Sequence, residues 1–210
     1  ADGMGGHQAG EVASSLAVKG LRDRIEVALT QSTESRSTKT ISSLLTSAIQ
    51  SVNSDINLQA SKPDTRGMGT TLTAAMVFGA KVVVAQVGDS RAYIMTDGVL
   101  RQLTRDHSWV SEEVERGNIT LAEAKIHPRR NVLTRAVGIA PKVDVDTLSI
   151  DVKEGDVLCL CSDGLYGLVD DEDIQEVLAN HSPSEASRIL VDRANELGGH
   201  DNIMVIVAQM

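Results

Sequence analysis

Helical and β-type periodicity occupy separate stretches of this chain, and that segregation limits its fold more than any other feature. Apolar residues recur at helical spacing at Ala9, Val12, Ala13, Leu16, Ala17 and Leu21, and again at Ile41, Leu44, Leu45, Ala48, Ile49, Val52 and Ile56, which predicts two amphipathic helices. Between them, Thr30 to Lys39 is rich in Ser and Thr without an apolar period and reads as a connecting loop. After the turn-rich stretch from Ser61 to Gly69 the texture becomes β-branched, at Thr70 to Phe78, Lys81 to Val87, Ala92 to Met95 and Val99 to Leu103, the pattern of an antiparallel meander. Asp97-Gly98 separates the last two runs, and Asp-Gly favours the two-residue type I′ hairpin turn.

Further along, Asp106 to Pro128 is charged and helix-permissive, with breaks at Gly117 and Pro128, and reads as an insertion over a face. Arg129-Arg130-Asn131 leads into a β-like run through Val137, and two more strands are expected over Val143 to Ile150 and Asp156 to Cys161. Asp170 is placed to cap a helix carrying Ile174, Val177 and Leu178. Ser182-Pro183-Ser184-Glu185 combines an N-cap Ser, a Pro at the first helical position and a Glu at the third. That last helix should stop near Gly198-Gly199, and Ile203 to Ala208 closes the chain as a buried strand. Grouped helices and grouped strands predict an α+β fold with a sheet-on-sheet core flanked by helices.

The chain has 210 residues, 41% of them hydrophobic, which fits one domain with a substantial core. A net charge of −9 and only four aromatic residues leave neither a basic phosphate-binding stripe nor a base-stacking platform. Nucleic acid is therefore not an expected partner. The longest apolar stretch, Thr73 to Val87, is interrupted by Lys81 and falls short of the roughly 20 residues that cross a bilayer. Cys159 and Cys161 are two apart in a strand-like run, so both face the same way and read as core thiols suited to a reducing compartment.

Chemistry is concentrated in four acids that stand where apolar runs begin or end: Asp2, Asp89, Asp163 and Asp201. Carboxylates from distant strand ends crowd one another unless a cation holds them. Hard oxygen donors without His or Cys favour Mg²⁺ or Mn²⁺, and a pair of such ions can activate water for in-line attack on phosphorus. Gly3, lacking a side chain, would let its carbonyl approach a metal. Taken alone, each Asp-Gly is more often a turn, as Asp97-Gly98 is; the company of four motifs shifts that balance. Gly67 and Gly69 match neither the Walker A spacing nor the dinucleotide fingerprint, which argues against a nucleotide loop. Arg129 and Arg130 read as a solvated basic pair sooner than as a phosphate clamp, and His200 as either a loop residue or a group orienting its neighbour Asp201.

The motifs Asp2-Gly-Met-Gly-Gly-His-Gln-Ala-Gly-Glu, Gly67-Met-Gly-Thr-Thr, Val87-Gly-Asp-Ser-Arg, Leu103-Thr-Arg-Asp-His-Ser, Asn131-Val-Leu-Thr-Arg-Ala-Val-Gly, Ser162-Asp-Gly-Leu and Gly199-His-Asp-Asn resemble the PPM family. These are the metal-dependent serine/threonine protein phosphatases of type 2C, and the wording is nearest the bacterial branch. The resemblance spans nearly the whole chain in the family's motif order. It implies a four-layer α-β-β-α sandwich of two antiparallel sheets, forming a single phosphatase catalytic domain over 1–210. It also implies a dinuclear Mn²⁺ or Mg²⁺ centre and a flap over about 106–128. By that likeness Asp2 bridges both metals, Gly3 supplies a carbonyl, Asp163 and Asp201 complete the pair, and Asp89 with Asp163 matches a third ion. The catalytic set is then Asp2, Asp163 and Asp201. A metal-activated water would attack phosphoserine or phosphothreonine directly, without a phosphoenzyme.

Two departures accompany the likeness. Family members carry, ahead of this Asp-Gly, two strands, a phosphate-binding Arg and a further acid, so the sequence is expected to be an N-terminally truncated form. Met4 stands where many eukaryotic members have a His proposed as general acid; bacterial members commonly share the Met, and no such role passes to His7. The expected partners are phosphorylated proteins and a cognate serine/threonine kinase, for a cytoplasmic monomer without membrane insertion. The alternative function is a phosphatase-like regulatory or binding module with little catalysis.

Overall fold

The computed structural model describes residues 1–31 and 37–210, apart from the side chain of His7. Two compact units divide it, one built from 1–88 with 107–151, the other from 89–106 with 152–210. The loop expected between Thr30 and Lys39 falls largely outside the described residues.

In the first unit a two-residue strand β1 (Gly3–Met4) leads into helix α1 (His7–Gln31), followed by α2 (Thr38–Gln59). Ser37 starts α2, its hydroxyl accepting the Thr40 N–H at 3.1 Å. The chain then forms β2 (Gly69–Thr70), β3 (Leu72–Phe78) and β4 (Lys81–Val87). It leaves this unit for β5 (Arg91–Thr96) and β6 (Val99–Gln102), and returns through α3 (Trp109–Glu115), α4 (Leu121–Ile126) and β7 (Asp146–Asp151). β1 pairs with β2, and β3, β4 and β7 form an antiparallel sheet in that order. Ala13, Ala17 and Leu21 of α1 and Ile41, Leu45, Ala48, Ile49, Val52 and Ile56 of α2 pack with Val83, Ala85 and Val87 of β4 in one buried cluster. Thus the helical periodicity maps onto the sheet-facing stripe, except at Val12, which is exposed.

The second unit holds β5 and β6 with β8 (Val157–Cys161), α5 (Asp163–Tyr166), α6 (Asp171–Asn180), α7 (Pro183–Glu196) and β9 (Val205–Gln209). Its sheet is antiparallel in the order β6-β5-β8-β9. Tyr93, Met95, Cys159 and Cys161 face the helices and pack with Ile174, Val177, Leu178, Ala186 and Leu190. Both thiols are buried and free. Asp97 and Gly98, with φ of 53° and 78°, make the predicted hairpin turn between β5 and β6. The Ser182 hydroxyl and backbone N–H both reach the Glu185 carboxylate, at 2.6 and 3.2 Å, which builds the predicted helix start.

Antiparallel sheets flanked by helices make the class α+β, as the segregated periodicities predict. Three local expectations are corrected. The four central runs are no single meander: β4 and β5 lie in different sheets, because Gly88 between them adopts φ +106° and ends the ladder. Residues 131–137 form no strand; Val137 exchanges two backbone hydrogen bonds with Thr70, Thr134 donates to His107 and Val132 accepts from Trp109, which makes isolated bridges at Leu133 and Val137. β9 is the edge of its sheet among the described residues, and Ile206 is exposed rather than buried. No helix among the described residues is long and apolar enough to cross a membrane.

Candidate active site

Strand register gathers three of the four acids. In the second unit Arg91, at the start of β5, pairs with Cys161, at the end of β8, and Cys161 pairs with Val205, at the start of β9. Asp89, Asp163 and Asp201 extend these three strands at the same end, so antiparallel pairing alone brings them to one rim. The turns carrying the last two are locked together. The Ser162 hydroxyl donates to the Asn202 carbonyl at 2.7 Å and accepts the Met204 N–H at 3.1 Å. Gly164 lies so near that a Cβ there would stand 2.5 Å from the Asn202 oxygen. The Asp201 carboxylate accepts the Asn202 N–H at 2.8 Å.

Asp89 is 8% exposed. Burial, then the negative charges of Asp163 and Asp106, push its carboxyl up to about 7, against weaker opposition from its own backbone N–H and from Arg91. The backbone of Asp89 is held as well: the Tyr166 hydroxyl donates to its carbonyl at 3.0 Å. Tyr166 in turn lies under the Arg91 guanidinium, 3.5 Å from the ring centroid. Arg91 grips the Asp106 carboxylate through Nε at 3.0 and 3.1 Å and Nη2 at 2.7 Å, and donates to the Tyr93 hydroxyl at 2.9 Å. Sequence reasoning included Arg91 and Asp106 in motifs without assigning them a task. Nothing beyond their places in those motifs signalled the pairing, and the cation–π partner Tyr166 carried no signal at all.

The fourth acid belongs to the first unit. The Asp2 N–H donates to the Thr71 hydroxyl at 2.9 Å, and the Asp2 carbonyl accepts from the Thr71 N–H and the Thr70 hydroxyl, both at 2.8 Å. Thr71 directly precedes β3, whose first residue Leu72 pairs with Val87 at the end of β4. The chain runs from that point through Gly88 into Asp89. Gly3 abuts α1 so closely that a Cβ would sit 2.0 Å from the Gly10 oxygen, and Gly10 returns the constraint with its own Cβ position 2.7 Å from the Gly3 oxygen. A pair of glycines thus seats the Asp2-Gly3 segment against the start of the helix.

Among the described residues no three His, Cys, Asp or Glu side chains converge as a ready ligand cage. Small hard cations do not need one, since Mg²⁺ keeps several waters and takes one or two carboxylates. A buried carboxyl driven upward beside a second carboxylate is the donor chemistry such a cation relieves, so Asp89 and Asp163 fit a divalent ion. Arg129 and Arg130 are exposed, and Arg129 sits 5.1 Å from the centroid of the Trp109 ring, which stacks on His127 at 4.7 Å. His200 is exposed, and Gly69 lies within β2 rather than in a phosphate loop.

The sequence profile described as "Protein phosphatase 2C" matches residues 1–197. The serine/threonine phosphatase stp of Listeria monocytogenes is 44% identical over an alignment that covers all of this chain and 82% of that protein. The crystal structure of the Mycobacterium tuberculosis serine/threonine phosphatase PstP superposes with a TM-score of 0.88 at 38% identity, over 100% of this chain and 86% of that one. A catalytic domain of PstP solved with two manganese ions gives 0.85 at 36% identity, covering 99% and 84%. A match of this extent, on antiparallel sheets flanked by helices, makes the chain a member of the protein phosphatase 2C family.

Proposed function

We propose that this chain hydrolyses phosphoserine and phosphothreonine in proteins at a Mn²⁺ or Mg²⁺ centre. Asp2, the Gly3 carbonyl, Asp163 and Asp201 would hold two ions, and Asp89 with Asp163 would reach a third. The observation that carries this reading is the shared rim of β5, β8 and β9, from which Asp89, Asp163 and Asp201 all emerge. When bound, divalent ions supply an acidified water and neutralise the charge of the phosphoryl group. The chain's own part is positional. Thr70 and Thr71 fix the backbone of Asp2, Ser162 and Gly164 tie the turn of Asp163 to that of Asp201, and Tyr166 holds the carbonyl of Asp89. Met4 carries no titratable proton, so the leaving oxygen takes its proton from water or from another group. The relatives named above are described as phosphatases, which favours catalysis over a purely binding module.

The partners this implies are phosphorylated proteins and a kinase that phosphorylates them, for a monomer in the cytoplasm with residues 106–128 acting as a flap. The test is phosphate release from p-nitrophenyl phosphate and from phosphoserine and phosphothreonine peptides. Release should require Mn²⁺ or Mg²⁺, stop with chelator, and be abolished by Asp163→Asn. Full activity in metal-free buffer, or an unaffected Asp163→Asn protein, would overturn the reading.

A further inference from the structure

His107 is 2% exposed, and the sequence assigns it nothing beyond a place in a motif. Its backbone N–H donates to the Gly88 carbonyl at 2.9 Å, and its own carbonyl accepts the Thr134 N–H at 2.9 Å. Nδ1 accepts the Gly88 N–H at 3.1 Å. The ring proton must then sit on Nε2, which faces the Asp146 carboxylate at 3.1 Å. The other Asp146 oxygen accepts Arg135 Nη1 at 2.6 Å. Although burial works against it, the Asp146 carboxyl is held below its ordinary range by Arg135 and His107, which keeps it an acceptor. Gly88 thus donates to His107 and His107 to Asp146, whose carboxylate is held from the other side by Arg135.

The end of that chain is the peptide that must be placed accurately. Gly88 has φ +106°, and its carbonyl also accepts Gln86 Nε2 at 3.1 Å. A Cβ at Gly88 would stand 2.7 Å from Cβ and Cγ2 of Thr71, the residue whose hydroxyl and N–H hold Asp2. One face of Gly88 is thus set by Thr71 and its peptide groups by His107, and the next residue is Asp89.

We infer that His107, oriented by Asp146 and Arg135, is a positioning residue for the metal centre: by clamping Gly88 it sets the backbone from which Asp89 projects and the seat of the Thr71 side chain that anchors Asp2. The inference rests on the metal-dependent reading above. Groups that orient metal ligands commonly change metal affinity 10- to 100-fold when altered.

Two substitutions divide the roles of the ring. His107→Asn keeps an acceptor near the Nδ1 position and loses the reach to Asp146; His107→Gln reaches toward Asp146 and lacks the acceptor for Gly88. Mn²⁺ titration calorimetry, thermal melting and amide exchange of Gly88 by NMR are measured on the whole chain. We expect Mn²⁺ affinity to drop about 10- to 100-fold in His107→Gln, with the Gly88 amide exchanging fast. His107→Asn should restore most of the affinity and the slow exchange although its melting temperature is no higher. Equal, wild-type Mn²⁺ affinity in both variants, or affinity losses that follow melting temperature, would overturn the inference. A wild-type chain that binds no Mn²⁺ would sink the phosphatase reading instead; Gly88 exchange then decides the clamp alone, equal rates in the two variants refuting it.

Discussion

Asp89→Asn should make the metal-free protein more stable at pH 8 while weakening its response to Mn²⁺. The Asp89 carboxyl is raised from 3.8 to about 7, first by burial and then by Asp163 and Asp106. Between those values the folded protein keeps a proton that the unfolded chain has released, so the unfolded state binds fewer protons and stability falls as pH rises. The contribution is fully present below about pH 4, is lost through the interval, and is gone above pH 7. Roughly three pKa units at about 1.4 kcal/mol each set a ceiling on the order of 4 kcal/mol. An amide of the same shape carries no charge to desolvate and removes this slope. Urea denaturation in chelator at pH 5 and pH 8 reads it directly. The wild-type midpoint should fall between the two pH values more than that of the variant, and 1 mM Mn²⁺ should raise the wild-type midpoint at pH 8 more than the variant's. Parallel pH profiles, or an Asn variant less stable than wild type at pH 8, would refute the argument that burial and Asp163 strain this carboxylate.

The paired glycines give a graded test: at Gly3 the added Cβ stands 2.0 Å from the Gly10 oxygen where ordinary contact begins at 3.4 Å, so one backbone must retreat about 1.4 Å. Gly3→Ala should cost about 1–3 kcal/mol or more and lose Mn²⁺ affinity, whereas Gly10→Ala, with 2.7 Å to the Gly3 oxygen, should do less of both; equal effects would contradict the geometry. Arg91→Met leaves the Asp106 carboxylate half-buried without its bidentate partner and should cost about 3–5 kcal/mol in denaturant unfolding, with Arg91→Lys recovering only part because the fork is lost. Ser182→Ala removes the α7 capping box and should cost about 1 kcal/mol while leaving phosphatase activity unchanged, which separates stability from chemistry.

How far the sequence reveals this protein depends on whether a feature is local or shared between strands. The last helix start was legible because Ser182 and Glu185 satisfy one another within four residues, with Pro183 at the first helical position. The Asp97-Gly98 turn was legible because positive φ restricts which residues serve. The strand over 131–137 was misread because its apolar texture suits a strand while its backbone partners are two separate segments, one at Thr70 and one at His107 to Trp109. The acids themselves stood out by type and position, but that Asp89, Asp163 and Asp201 leave one rim needed the register of β5, β8 and β9, which pairwise pattern does not encode. His107 is the sharpest case. Its ring bonds to Gly88 and Asp146, 19 and 39 residues away, and only the fold distinguishes it from any other buried histidine. The same contrast explains why the candidate ligands can be proposed from sequence while the groups that aim them cannot. A ligand must have a particular chemistry and so advertises itself; a positioning group needs only a donor or acceptor at the right place, and that place exists only after β4, β7 and the return at His107 have come together.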